Sequence, residues 1–290
     1  MGTVFAQVRR PGPLTLVEDL GRPGQAAMGL GPSGALDGRS LRLANRLVAN
    51  NDGAAGLEIL LGGLELEFRA AAVVAVTGAR GELECGGSSR PLNTALELAP
   101  GSTLKIGTAA AGLRYYLSVQ GGLQTPSLLG SASADILSGM GPRPLQAGDL
   151  LERGPAGTDT AERIRQLTVK APPRPEQVIA LRISAGPRRD WFDASSWHRL
   201  TGQEWEISAD SNRIGARLLG KPLTQLRRGE LPSEGMVSGA LQVPPSGLPT
   251  IFLADHPVTG GYPVIAVVVR ADLDLLAQAR PGQKVRFFAG

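Results

Sequence analysis

The sequence predicts a mainly β protein with a few short helices. It contains 39 glycines and 22 prolines in 290 residues, so turns should be frequent and long helices rare. Short apolar runs recur at short intervals, and few segments repeat their apolar residues at helical spacing. Closely spaced strands and turns favour an antiparallel sandwich or barrel over alternating β-α-β units.

The first half begins with a strand, a turn and a second strand: T-V-F-A-Q-V-R-R, P-G-P and L-T-L-V-E-D. Residues 21–34 are rich in turn formers, and Asp37 then caps a helix predicted over residues 38–49. The strand-like runs that follow are L-E-I-L-L, L-E-L-E-F, V-V-A-V-T, A-L-E-L, T-L-K-I and L-R-Y-Y-L-S-V. Residues 121–145, rich in Ser, Gly and Pro, predict a long ordered loop, and such loops are often functional.

A polar stretch that ends in A-P-P-R-P-E-Q separates two halves of the chain. We therefore predict an N-terminal half at residues 1–155, a linker at 156–177 and a C-terminal half at 178–290. The strand-like runs of the second half are V-I-A-L-R-I-S, W-E-I-S, A-L-Q-V, T-I-F-L-A, V-I-A-V-V-V and K-V-R-F-F. Two helices are predicted there, a short one around 212–219 and a clearer one over 271–279.

Composition argues against several classes of protein. The net charge is +4, basic residues never run beyond a pair and aromatic residues make up 4% of the chain, so nucleic-acid binding has little support. No apolar run reaches bilayer-spanning length and the N-terminus lacks the apolar core of a signal peptide, which predicts a cytoplasmic protein with no membrane partner. Cys85 is the single cysteine, so an internal disulfide is excluded and no metal site is predicted.

Two glycine-rich motifs resemble nucleotide-binding loops without the required context. G-L-G-P-S-G, residues 29–34, matches G-x-G-x-x-G, yet no strand precedes it, so a cluster of turns is the better interpretation. G-A-R-L-L-G-K, residues 215–221, approaches a P-loop, but Pro222 stands where a hydroxyl residue would bind magnesium, and the segment looks helical. The sequence therefore does not predict that this chain binds ATP by itself.

The densest set of polar groups lies in residues 233–263, where short strand runs alternate with Gly and Pro turns. Asp255 could orient a water or accept a proton, and the neighbouring His256 titrates in the range that acid–base catalysis needs. Successive backbone N–H groups suited to an oxyanion or a phosphate come from Thr259, Gly260, Gly261 and Tyr262, although a tight turn is the alternative. Side-chain hydrogen bonds to a small polar substrate are expected from Ser233, Glu234 and Gln242.

Further candidates lie outside that segment or earlier within the second half. Asp37 could be a second catalytic carboxylate, and a helix cap explains it equally well. Arg22 and Arg213 could each hold a substrate carboxylate with the planar fork of the guanidinium group. His198, the other histidine, is more simply a surface or packing residue.

Two blocks of sequence carry a resemblance to a known family. The first is V-E-D-L-G-R-P-G-Q-A-A-M-G-L-G-P-S-G-A-L-D-G-R-S-L-R-L-A-N-R-L-V-A-N, residues 17–50. The second runs from residue 231 to residue 262 and continues with A-D-L-D-L-L-A-Q-A-R-P-G-Q-K-V-R-F. In this order, and over nearly the whole chain, they resemble the allophanate hydrolase subunit 2 family. That family usually has a Gln-Thr-Thr-like run before Gly-Gly-Tyr, where this chain has H-P-V-T. His256 could substitute there as an acid or base, and a cap at the end of the strand explains it equally well.

The resemblance implies two cyclophilin-like β-barrel halves and a hydrolase subunit that is active only with partners. The family includes the C subunit of prokaryotic 5-oxoprolinase, so the implied reaction is ATP-dependent opening of the 5-oxoproline lactam to glutamate, performed with subunits A and B. ATP would be used by the assembled complex. One alternative is a component of biotin-dependent carboxyl transfer to urea or a related amide, with biotin supplied by a partner because no biotinyl-lysine motif occurs here. Another is a binding protein that regulates a kinase, acting together with a partner of the B type.

Overall fold

The computed structural model describes residues 2–155, 178–227 and 231–290, and the predicted linker lies outside these ranges. Within them the chain forms 21 β-strands, three short α-helices and three single turns of 3-10 helix, which confirms the mainly β prediction. The described residues divide into two compact units. The first unit comprises residues 2–22, 37–134 and 139–155, and the second comprises residues 23–36, 135–138, 178–227 and 231–290.

The first unit consists of two antiparallel sheets. Its strands are β1 (Thr3–Pro11), β2 (Leu14–Glu18), β3 (Gly56–Leu60), β4 (Leu64–Phe68), β5 (Ala72–Arg80), β6 (Leu83–Cys85), β7 (Ser88–Ser89), β8 (Ala95–Leu98), β9 (Thr103–Ile106), β10 (Ala111–Val119), β11 (Leu123–Gln124) and β12 (Leu150–Arg153). One sheet has the order β11-β12-β1-β4-β9-β6-β7 and the other the order β2-β3-β10-β5-β8. Apolar side chains from both sheets, among them Phe5, Phe68 and Tyr115, form the main buried core of this unit.

Helix α1 covers Gly38–Leu47 and begins after Asp37, as the sequence predicts. The Asp37 carboxylate accepts hydrogen bonds from Ser40 N at 3.0 Å and from Ser40 Oγ at 2.6 Å. The Asp37 backbone N–H donates to the Tyr116 hydroxyl at 2.8 Å, and that hydroxyl donates to Glu58 Oε2 at 2.7 Å. Burial, with the negative charge of Glu58 as a second cause, raises the pKa of Tyr116 well above its usual value. Both the carboxylate and the backbone N–H of Asp37 are therefore hydrogen-bonded at the start of the helix.

The second unit contains a closed seven-stranded barrel with the order β13-β20-β17-β18-β15-β14-β21. Its strands are β13 (Val178–Ala185), β14 (Trp205–Ile207), β15 (Gly215–Leu219), β17 (Ala240–Gln242), β18 (Thr250–Phe252), β20 (Val264–Val268) and β21 (Lys284–Ala289). The parallel pairing of β13 with β21 closes the barrel. A separate two-stranded ribbon joins β16 (Glu234–Gly235) to β19 (Thr259–Gly260). The barrel core includes the fully buried Trp205, whose ring N–H donates to Leu200 O at 3.0 Å.

The helices of the second unit differ from the prediction. Helix α2 (Ala194–Gly202) was not predicted, although Asp193 caps it by accepting from Ser196 N at 2.6 Å. Helix α3 (Leu273–Leu276) follows a 3-10 turn at Arg270–Asp272, so the helix predicted over 271–279 exists in a shorter form.

The helix predicted around 212–219 is wrong, because Gly215–Leu219 is strand β15. Its side chains alternate, with Ala216 and Leu218 buried and Arg217 and Leu219 exposed. No helix among the described residues has the length and the apolar content needed to cross a bilayer.

Two segments from the first half of the sequence belong to the second unit. Residues 23–36 contact the barrel through Ser33 N, which donates to Ala254 O at 3.0 Å, and through Leu36, which joins the barrel core. Residues 135–138 pack with the same unit. The second unit thus includes segments from both halves of the sequence, and the predicted halves at residues 1–155 and 178–290 with their linker stay a prediction.

Candidate functional site

A buried ion pair lies at the centre of the candidate site. Arg213 precedes strand β15 and Asp255 follows strand β18, and both side chains are almost fully excluded from solvent, with 2% and 0% exposed. Arg213 Nε donates to Asp255 Oδ2 at 2.8 Å and Nη2 donates to Oδ1 at 2.9 Å, which gives the bidentate geometry of a strong pair. The backbones are linked as well, since Asp255 N donates to Arg213 O at 3.1 Å.

The pair also contacts both of the segments that join the barrel from the first half of the sequence. Arg213 Nη2 donates to Gly34 O at 2.9 Å, and Asp255 Oδ2 accepts from Ile136 N at 3.2 Å. Burial raises the pKa of Asp255, while the Arg213 guanidinium and the Ile136 amide lower it. The Asp255 carboxylate is thus engaged on both oxygens, and Arg213 is engaged by a carboxylate and a carbonyl.

His256 lies next to Asp255 and has a defined tautomer. Its Nδ1 contacts Pro257 O at 2.8 Å, and because a carbonyl only accepts, Nδ1 carries the proton and Nε2 has a lone pair. The ring stacks on Phe252 with a centroid distance of 5.8 Å and is 4% exposed. Burial lowers the pKa of His256, so the ring is neutral near pH 7. Within the described ranges, Nε2 has no hydrogen-bond partner, which suits a proton acceptor.

A second group of predicted site residues meets at the ribbon of β16 and β19. Glu234 pairs with Gly260 across the ribbon, and Arg188 Nε donates to Glu234 Oε1 at 2.7 Å. The Gln242 side-chain amide donates to Tyr262 O at 3.3 Å. A Cβ at Gly260 would approach Gln242 Nε2 to 2.5 Å, so a side chain there would push the Gln242 amide away from its present position.

The ribbon surface is accessible. Ser233, Thr259 and Gly261 are exposed, and Tyr262 is 48% exposed. The predicted run of backbone N–H groups at residues 259–262 therefore borders solvent, only a few residues along the chain from His256. The second unit brings together most of the predicted residues, in a buried group of Arg213, Asp255 and His256 and a ribbon group of Ser233, Glu234, Gln242, Thr259, Gly260, Gly261 and Tyr262.

Two predicted residues lie in the first unit. Asp37 caps helix α1 with both carboxylate oxygens, which favours the cap that the sequence allowed. Arg22 is buried and donates to Ser133 O. The catalytic role of Asp37 and the substrate-binding roles of Arg22 and Arg213 stay predictions.

Sequence reasoning did not identify three residues that the structure places in the site. Asp135 and Ser33 lie in the turns that contact the barrel, and Arg188 pairs with Glu234 at the ribbon. The loop at 121–145 was recognised as a functional candidate, but its S-A-S-A-D-I-L-S run contains no motif that would distinguish Asp135. Only the fold shows that this carboxylate lies near Asp255 and His256.

The two nucleotide-like motifs have ordinary structural roles. Residues 31–34 form irregular backbone that packs on the barrel, with no strand before them and no helix directly after. Residues 215–219 form strand β15, whose backbone groups bond to β14 and β18 and cannot surround a phosphate. The described ranges contain no group of three or more His, Cys, Asp or Glu side chains placed to hold a metal ion.

Comparison with known proteins assigns the family. The model of the carboxyltransferase domain, subdomain A and B, matches residues 28–289. The chain is 36% identical to the C subunit of 5-oxoprolinase from Escherichia coli (strain K12) over 286 residues, which cover 97% of this chain and 90% of that protein. It is 34% identical to the corresponding 5-oxoprolinase subunit of Haemophilus influenzae, over 94% of this chain and 87% of that protein.

Solved structures share the fold over the whole chain. The crystal structure of TTHA0988 superimposes with a TM-score of 0.88 at 35% identity, covering 99% of this chain and 55% of that one. The urea carboxylase of Kluyveromyces lactis also gives a TM-score of 0.88, at 29% identity, covering 100% of this chain and 28% of that one. The chain thus spans only part of these larger solved chains. By its sequence and by its fold, the chain belongs to the family of the carboxyltransferase domain, subdomain A and B.

Proposed function

We propose that this chain is the C subunit of a cytoplasmic, ATP-dependent 5-oxoprolinase that is active only with partner subunits A and B. The observation that carries the proposal is the 36% identity to the C subunit of Escherichia coli 5-oxoprolinase over 97% of this chain and 90% of that protein. Near-complete coverage of both sequences supports transfer of the role as well as the fold.

The proposed reaction converts 5-oxoproline, ATP and two molecules of water into glutamate, ADP and phosphate. A lactam carbonyl is a poor electrophile, so transfer of the γ-phosphoryl group to the amide oxygen activates the carbon. Water then adds to that carbon, the carbon–nitrogen bond breaks and the nitrogen takes up a proton, which leaves a glutamyl phosphate. A second water cleaves this acyl phosphate and releases glutamate and phosphate. The chemistry requires a proton acceptor for the water and donors for a developing anion.

The second unit offers both kinds of group. His256 is the proposed proton acceptor, because its Nδ1–H is held by Pro257 O and its Nε2 lone pair is available within the described part of the chain. The backbone N–H groups of Gly260 and Gly261 are the proposed anion donors, on a ribbon open to solvent. Ser233, Glu234, Gln242, Thr259 and Tyr262 would supply further contacts to the substrate.

Asp255 and Arg213 take a different role in this proposal. Their bidentate pairing and near-complete burial leave neither group free for a substrate carboxylate. We assign them to holding the strand ends that carry His256. The nucleotide is assigned to the partner chains, since residues 215–219 form a barrel strand and not a phosphate-binding loop.

Reconstitution with subunits A and B tests the proposal. We expect 5-oxoproline-dependent ATP hydrolysis and glutamate release only when all three chains are present. His256→Gln should lower kcat by roughly 100-fold or more, as for loss of a general base. His198→Gln is the matched control, because it changes the only other histidine, which is exposed on helix α2, and should leave activity unchanged. A complete set of chains that is inert with 5-oxoproline would refute the proposal.

The match to urea carboxylase supports a second candidate, biotin-dependent carboxyl transfer to urea or a related amide. Biotin would arrive on a partner and supply an activated carboxyl group when bound. The exposed ring of Tyr262 and the adjacent glycine amides could accommodate its ureido group. Urea-dependent consumption of carboxybiotin by this chain, in the absence of 5-oxoproline turnover, would favour this candidate.

A further inference from the structure

Asp135 occupies an unusual place in the second unit. It is 5% exposed, yet it lies at the start of the short segment 135–138, whose apolar side chains face outward. Ile136 is 36% exposed and Leu137 is 49% exposed, so burial of its own side chains does not hold this segment in place. Its position must therefore depend on polar contacts.

Those contacts converge on the Asp135 carboxylate. Oδ1 accepts from Leu137 N at 2.9 Å and from Ser138 N at 3.0 Å, which closes a turn on the aspartate itself. Oδ2 accepts from Ser33 Oγ at 3.0 Å, and Ser33 N donates to Ala254 O at 3.0 Å, directly before Asp255. Asp135 thus links the turn to the backbone that carries the ion pair.

The turn delivers one backbone donor to the site. The Asp135 carboxylate binds the amides of Leu137 and Ser138, and Ile136 lies between them and Asp135. The Ile136 amide itself donates to Asp255 Oδ2 at 3.2 Å. The same oxygen accepts from Arg213 Nε at 2.8 Å. If the turn opened, Asp255 would lose this donor while remaining buried, and a buried carboxylate that loses a donor is destabilised.

The charge of Asp135 also acts on the site. Burial lowers the pKa of His256, while the hydrogen bond to Pro257 O and the negative charges of Asp255 and Asp135 raise it; Asp255 is itself paired with Arg213. Asp135 raises the pKa of Asp255 as well. Asp135, 121 positions earlier in the sequence, therefore contributes to the pKa of His256.

We infer that Asp135 is a positioning residue for the site at Asp255 and His256: its carboxylate holds the 135–138 turn so that the Ile136 amide engages Asp255. As a contribution to catalysis this inference rests on the proposed function. Its structural part can be tested on the chain alone.

The first test is NMR of the purified full chain. Because the sequence has only two histidines, the imidazole resonances of His256 and His198 can be followed separately with pH, and His198→Gln assigns them. In Asp135→Asn we expect His256 to titrate at a lower pH than in the unchanged protein, since a charge that raises its pKa is gone. We also expect the Ile136 amide to exchange with solvent roughly tenfold faster or more, because its turn has lost its anchor.

Two further variants separate charge from position. Ser33→Ala removes one hydrogen bond to Asp135 but keeps the charge, so it should speed Ile136 exchange without moving the His256 titration. Asp210→Asn is the matched control, since Asp210 is exposed in the same unit and should change neither signal. If Asp135→Asn does not fold, Ser33→Ala decides the question through Ile136 exchange.

The activity arm uses the reconstituted complex of all three chains. Asp135→Asn should lower kcat by roughly 10- to 100-fold with little change in KM, as expected when a catalytic group is displaced. Unchanged His256 titration together with unchanged Ile136 exchange would overturn the inference. An inert complex containing the unchanged chain would instead refute the proposed function, and the NMR result would still decide the role of Asp135.

Discussion

Removing Arg213 should destabilise the second unit strongly. The side chain is 2% exposed, its partner Asp255 is fully buried, and two hydrogen bonds of 2.8 and 2.9 Å join them. In Arg213→Met, Asp255 keeps the Ile136 amide as its described donor and stays buried with its charge uncompensated. Loss of one partner of a buried pair costs about 3–5 kcal/mol, a large part of the 5–15 kcal/mol that typically stabilises a domain.

Tryptophan fluorescence during urea unfolding measures this directly. All three tryptophans of the chain, Trp191, Trp197 and Trp205, lie in the second unit, so the signal reports on the unit that contains the pair. The double variant Arg213→Met/Asp255→Leu removes both charges and should recover most of the lost free energy. Arg286→Met is the matched control, because its pair with Glu204 is largely exposed and should contribute about 1 kcal/mol or less.

The loss of stability in Arg213→Met should also depend on pH in a defined direction. The pKa of Asp255 is raised in the folded protein, and Arg213 opposes that rise, so removing Arg213 raises it further. A raised folded pKa favours the fold at low pH and loses that contribution as pH rises through it. The deficit of Arg213→Met should therefore be smaller at pH 5 than at pH 8. A deficit below about 1 kcal/mol at pH 8, or an equal loss in the double variant, would show that the pair is not the buried ion pair described here.

Three more results are expected. Asp37→Ala should lower the free energy of unfolding of the first unit by about 1 kcal/mol, whereas Asp37→Asn keeps the cap; loss of reconstituted activity in Asp37→Asn would reveal a catalytic role instead. In His256→Gln the free energy of unfolding should fall less between pH 8 and pH 5 than in the unchanged protein. Because the pKa of His256 is lowered in the folded state, its contribution to stability is present above the unfolded pKa and is lost on acidification. A urea midpoint that depends on pH as in the unchanged protein would contradict this. Gly260→Ala should displace Gln242 from Tyr262 O and reduce activity while leaving the tryptophan-monitored unfolding nearly unchanged, which enzyme assays and urea titrations of the same preparation would check.

Local signals predicted much of the fold. Asp37 followed by Leu41 and Ala44 at helical spacing predicted α1, and the apolar runs of the second half coincide with barrel strands. The error at 212–219 arose because Arg and Leu favour helices locally, whereas the pairing of β15 with β14 and β18 requires an extended chain. Helix α2 was missed although Asp193 precedes it as a cap, because its W-H-R-L run shows little apolar periodicity.

The site was predicted less completely, for a physical reason. Residues 233–263 are close in sequence, so their polar groups could be recognised together. Asp135 and Ser33 reach the site only through long-range contacts, Ser33 Oγ to Asp135 across 102 positions and Ile136 N to Asp255 across 119. The sequence offered Arg213 as a cation for a substrate carboxylate, and that role stays a prediction. Its pairing with Asp255 could not be predicted, because a sequence does not show which charges are buried together.

The second unit is assembled from segments that lie far apart in the sequence, and this affects the order in which it can fold during synthesis. Arg213 finds its carbonyl acceptor at Gly34, 179 positions earlier, and Asp255 finds an amide at Ile136. During synthesis, residues 23–36 and 135–138 leave the ribosome long before the barrel strands that they contact exist. The barrel strands, which are synthesised last, must therefore fold onto segments that were synthesised earlier. A fragment restricted to residues 178–290 would lack both contacts of the ion pair, so separate expression of the two predicted halves should yield a C-terminal barrel whose central charges are incompletely satisfied.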